Sequence, residues 1–195
     1  SEIFWLNKSN IKAKNIILYF ENPVEFSKFY ENKKLYNEIN KKGLHIVKVW
    51  EYNYILNVTK NSFFFKFNKP FDKIDKWLIS ELKLLLKDCN YWYNFFYFSN
   101  IKIHTDPDEF AITVLSKQVA IEKLNACSYG KLRSYPNKTP ASFYCFFPND
   151  IFFLWGKDSI KRIIDTQNVD MNYVITGYIY GKPTNEISVK LNDLK

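Results

Sequence analysis

Cysteine is scarce in this 195-residue chain, and the three present are Cys89, Cys127 and Cys145. The number is odd and no Cys-x-x-Cys occurs, which argues against a disulfide framework or a zinc site and for reduced thiols. A cytoplasmic setting follows, with the inner face of the membrane as the expected limit. Glycine is equally sparse, with five in all. None falls into Gly-x-Gly-x-x-Gly or a Walker lysine motif, so a dinucleotide or P-loop site is poorly supported. No apolar run approaches the roughly 20 residues of a spanning helix. The aromatic stretch "YWYNFFYF" (91–98) is too short for one. There is no secretory leader pattern, no internal repeat, no dense basic arm and no His/Cys/carboxylate cluster with metal-ligand spacing. No cofactor or metal is expected, and no Ser-His-Asp set can be placed in space.

What remains is a globular composition. Hydrophobic residues make up 47% and charged residues 25%, enough for one domain with a sizeable core. Aromatics reach 19%, mostly Phe and Tyr, a bias that AT-rich coding explains without function. The net charge is +8. That balance suits nucleotides, phosphorylated lipids, nucleic acid or acidic membranes, without choosing among them. Lysines such as Lys12, Lys33, Lys41 and Lys60 are scattered as on a solvated face.

Periodicity gives an alternating order. "KNIILYF" reads as a buried strand ended by Pro23. Phe26, Phe29, Tyr30, Leu35, Tyr36 and Ile39 form a helical stripe, closed by Lys41, Lys42 and Gly43. "LHIVKVW" is a second strand, so the first 50 residues spell β-α-β, a parallel unit. "YNYILNV" and "SFFFKF" read as a hairpin or irregular strands. A long helix carries Trp77, Leu78, Leu82, Leu85 and Leu86 on its apolar face, with a break expected near Cys89 and Asn90. Then come a strand "IKIH", a helix over "EFAITVLSKQVAIEKLNA" and a strand-to-loop passage "CSYGKLRSYP". "DIFFLW" is a strand, "KDSIKRIIDTQ" a helix and "NYVITG" a final strand. The fold class is α/β, a Rossmann-like, open, mostly parallel sheet with helices on both faces. A leading segment covers 1–13, the domain 14–182 and a linker 183–195. The abrupt Ser1 start suits a piece of a longer polypeptide.

Gly156 and Gly177 close two of these strands, at the carboxyl edge where open α/β sheets gather ligands. There glycine permits positive φ and close backbone approach, and Gly156 with Lys157 opens a helix that suits an anion. A plain turn explains Gly156 as well. In "IHTDPDE", His104, Asp106, Asp108 and Glu109 stand at a strand end. His104 or Asp106 is suited to act as a base. The alternatives are a structural histidine and helix-capping aspartates. His45 reads as structural. Lys131, Arg133 and Ser134 form a loop able to grip phosphate. Tyr129, Tyr135, Tyr178 and Tyr180 flank the same edge and suit sugar stacking. Interruption of "TDPD" by Pro107 argues against metal use.

"YWYNFFYFSNIKIHTD", "SKQVAIEKLNACSYGKLRSYP", "NDIFFLWGKDSIKRI" and "NYVITGYIYG" together resemble bacterial surface-carbohydrate biosynthesis proteins. Those are similar to glycosyltransferases of the two-domain GT-B type and, more distantly, to polyol-phosphate transferases of teichoic acid assembly. The likeness is strongest in the carboxyl-terminal half of the chain. It implies that this chain is the amino-terminal, acceptor-side domain and that a second domain holds the nucleotide sugar. The reaction implied is sugar transfer to a surface-polysaccharide or lipid-linked acceptor, with little activity in this domain alone and with peripheral membrane contact. The family's Gly-Tyr-Gln-Arg-Ser-like run is altered here to Tyr129, Gly130, Lys131, Leu132, Arg133, Ser134. The alternative reading is a non-catalytic basic α/β module that binds nucleic acid or acidic lipid. A response-regulator-like domain is disfavoured, since only Glu21 follows the first strand as an acid.

Overall fold

A computed structural model describes residues 10–53, 63, 66, 69–106, 112–131, 148–156 and 172–176. The chain divides into two compact units, Ser1–Lys66 and Phe67–Lys195. The fold is α/β with parallel sheets, as the alternation of patterns predicts.

The first unit holds β1 (Ile17–Phe20), α1 (Pro23–Glu31), α2 (Lys33–Lys42) and β2 (His45–Lys48). The strands are parallel, with Ile17 opposite His45 and Phe20 opposite Lys48. Pro23 opens α1 behind Asn22, whose side chain accepts from the Glu25 amide at 3.0 Å. The single helical stripe read from sequence is two helices. Asn32 ends α1 and caps α2 by accepting from the Leu35 amide at 3.2 Å. Gly43 closes α2 at φ 77°, a left-handed position that favours glycine. Ile39 and Leu44 centre a small core with Ile16, Leu18, Phe29, Leu35 and Ile46 around them. β2 is shorter than the run "LHIVKVW", because Val49–Tyr52 coils into a 3-10 turn. His45, expected to be structural, is exposed.

The second unit holds α3 (Lys73–Phe98), β3 (Ile103–Thr105), α4 (Ile112–Lys123), β4 (Cys127–Lys131), β5 (Ile151–Leu154) and β6 (Asn172–Ile175). Its sheet runs β3-β4-β5-β6, and every pair is parallel. Asp72 caps α3 by accepting from the Asp75 amide, and Asp75 accepts from the Phe71 amide in return. The expected break at Cys89 and Asn90 does not occur. Asn90 turns its amide back to the Leu86 carbonyl at 2.9 Å, so its polar group is satisfied inside a continuous helix. α3 and α4 each end in a left-handed asparagine, Asn100 at φ 50° and Asn125 at φ 51°. Closing bonds run from the Ile101 amide to Phe96 O and from the Ala126 amide to Ile121 O. Each turns the chain directly into β3 or β4. Buried Cys89, Trp92, Phe95 and Phe96 of α3, Val114, Ala120 and Ile121 of α4, and Phe152 and Leu154 of β5 supply the core. The expected hairpin, the helix over "KDSIKRIIDTQ" and the tail after Thr176 lie outside the described residues, apart from Tyr52, Asn53, Phe63 and Lys66, of which Tyr52 ends the 3-10 turn.

Candidate functional site

Parallel pairing places the strand ends of the second unit along one edge. Thr105 lies opposite Tyr129, Lys131 opposite Phe153, and Leu154 opposite Ile175. The carboxyl rim therefore carries Asp106, Lys131 and Gly156 on three adjacent strands. Thus His104, Asp106, Tyr129, Lys131 and Gly156 come together at one end of one sheet. Arg133, Ser134, Lys157, Gly177 and Tyr178, with Asp108 and Glu109, lie outside the described residues. Strand order follows chain order in this sheet among the described strands, with no reversal between them.

Tyr129 is half-buried, its ring edge-on to Phe153 at 5.7 Å between centroids. Burial raises its phenol pKa, partly offset by a hydrogen bond with the Thr105 side chain. Gly156 departs from expectation. Its φ is not left-handed, and a Cβ there would meet nothing within 4 Å. Backbone strain thus does not require the glycine, and the space beside it is open. The tight glycine is Gly130 inside β4, where a Cβ would lie 2.5 Å from Asn149 Oδ1 and 2.7 Å from the Phe152 ring.

Behind the rim sits a buried ionic knot. Lys117 Nζ on α4 lies 2.5 Å from Asp106 Oδ2, with the two side chains only 2% and 3% exposed. The same ammonium sits 4.7 Å from the Trp92 ring centroid on α3, a cation–π distance. Asp106 is thereby paired with Lys117, and residues 107–111, which it is expected to cap, lie outside the described residues. His104, just before it, packs on Phe96 with centroids 4.9 Å apart. Burial drives its pKa down to about 4; the Asp106 charge opposes this and the Lys117 charge adds to it. At neutral pH the ring is uncharged, weakly basic and shut away from solvent. Both the His104 and the Asp106 side chains are buried.

A second polar knot joins α4 to the start of β5. The Ser128 hydroxyl reaches Gln118 Oε1 and accepts from the Asp150 amide at 3.1 Å. The Ser128 amide donates to Asp150 Oδ2 at 2.7 Å. These positions escape a periodicity reading. Their signal is the polar triplet Ser116, Lys117, Gln118 between the apolar pairs Val114–Leu115 and Val119–Ala120, all three buried.

Among the described residues no group of three or more His, Cys, Asp or Glu side chains is placed to hold a metal. Cys89 and Cys127 are free thiols, and burial pushes Cys89 up to about 11. No described helix is long and apolar enough to cross a membrane. No protein-family model, curated protein or solved structure matches the chain.

Proposed function

We propose that this chain is the acceptor-side domain of a GT-B-like glycosyltransferase, which moves a sugar from an activated nucleotide to a surface-polysaccharide or lipid-linked acceptor. The observation that carries the reading is the shared carboxyl rim of the parallel sheet, with Lys131 and Gly156 on neighbouring strand ends. A lysine there supplies positive charge for a phosphate linkage. The unobstructed backbone at Gly156 gives a polar chain room to approach. Tyr129 offers a ring edge and a phenol beside them. His104 and Asp106 act as positioning residues in this reading, because both are buried and Asp106 is held by Lys117. Donor binding belongs to a second domain.

The test is calorimetric titration of the chain with a short-chain prenyl diphosphate sugar, against Lys131→Ala. Loss of one charge-assisted hydrogen bond predicts roughly tenfold weaker binding. An unchanged affinity in the variant, or sugar transfer from a nucleotide donor by this chain alone, refutes the reading.

A further inference from the structure

Helix α3 outruns α4, its neighbour. At 1.5 Å per residue its 26 residues span about 39 Å, whereas the 12 residues of α4 span about 18 Å. Phe71, just before the helix, Ile74, Leu78, Leu82 and Leu85 follow one another at steps of three and four. The stripe continues into Cys89, Trp92 and Phe96, which are buried. Its first half is open to solvent, with Phe71 97%, Ile74 70% and Leu78 48% exposed. Such spacing suits a second helix laid alongside.

Charge around the helix is sorted by distance from that stripe. At about 100° per residue, Asp75 and Glu81 lie about 60° to either side of Leu78, and Asp88 about 80° from it. Lys73, Lys76, Lys83 and Lys87 lie about 140° or more away, on the back of the helix. A molecule laid on the stripe therefore meets carboxylates at its borders, with the four lysines behind. Glu81 and Asp88 are exposed, and among the described residues neither forms an ion pair. A second copy laid stripe to stripe would set one acidic border against another in either direction. What these borders attract is lysine or arginine beside an apolar stripe.

We infer that the first half of α3 is a docking surface for an amphipathic helix of another polypeptide, one whose apolar stripe is bordered by lysine or arginine. The inference does not depend on the glycosyltransferase reading. Two labelled three-heptad peptides test it by fluorescence anisotropy. Both carry leucine at the first and fourth heptad positions, and the flanking positions are lysine in one and glutamate in the other. The net charge of +8 would by itself draw the glutamate peptide. The chain is expected instead to bind the lysine peptide at least about tenfold more tightly. Glu81→Lys/Asp88→Lys is expected to reverse that preference. Leu78→Ser/Leu82→Ser changes exposed positions, and is expected to weaken binding at least about tenfold with the far-ultraviolet circular dichroism unchanged. Equal or tighter binding of the glutamate peptide, a charge-reversed variant that keeps the parent's preference, undiminished binding by the serine variant, or no binding of either peptide overturns the proposal. So does a dimer of the chain that the serine variant dissociates, which would assign the surface to a second copy.

Discussion

Replacing Lys117 by methionine keeps an unbranched side chain one heavy atom shorter and removes its charge. The Asp106 carboxylate, 3% exposed, is then left in the interior without its cation. Breaking a buried pair in this way costs about 3–5 kcal/mol, because the remaining charge keeps its desolvation penalty without repayment. Loss of the contact with Trp92 adds to that cost. Domains are stable by about 5–15 kcal/mol, so this one change removes a large share. With a urea dependence of about 1–3 kcal/mol per molar, the unfolding midpoint falls by one to several molar. The assay is urea denaturation followed by circular dichroism on Lys117→Met, Asp106→Asn and the double variant. The double variant carries no buried charge and should recover most of the loss, giving a coupling energy of at least about 2 kcal/mol. A Lys117→Met loss under about 1 kcal/mol, or a double variant as unstable as the sum of the singles, refutes the buried-pair reasoning.

Acid should destabilise the fold through His104. Its native pKa of about 4 lies below the ordinary 6.5, so the unfolded chain binds the proton first. Stability present above pH 6.5 is lost as pH falls toward 4, with about 2 kcal/mol gone by pH 5. His104→Gln should flatten that slope between pH 7 and 5 in urea titrations, and an unchanged slope contradicts the assignment. Gly130→Ala should cost about 1–3 kcal/mol by overpacking against Asn149 and Phe152, read as a lower melting temperature. Gly156→Ala, with open space and no left-handed φ, should stay within about 0.5 kcal/mol of the parent in the same melt.

The parallel α/β class was legible because continuous apolar runs such as "NIILYF" and "IFFL" alternate with helical spacing. Gly43 was legible as a helix stop for the same local reasons. The division at Asn32 was not, since a single asparagine serves as exit of one helix and cap of the next. Asn90 looked like a breaker because sequence alone does not reveal a side chain that bonds back to the preceding turn. At the site, the convergence of His104, Asp106, Tyr129, Lys131 and Gly156 follows from strand ends alone. Their roles depend on tertiary partners. Lys117 and Asp106 are eleven residues apart, and nothing in their spacing announces a buried ion pair. The polar triplet at 116–118 was a hint, since three successive residues span about 200° of a helix that carries apolar residues on both sides of them in the chain.

The most direct test of the rim is residue-resolved NMR on the labelled chain, titrated with a short-chain prenyl diphosphate sugar. The account predicts saturable shifts of the Lys131 and Gly156 amides and of their neighbours at the strand ends. Shifts confined to α3, or none at all, would contradict it.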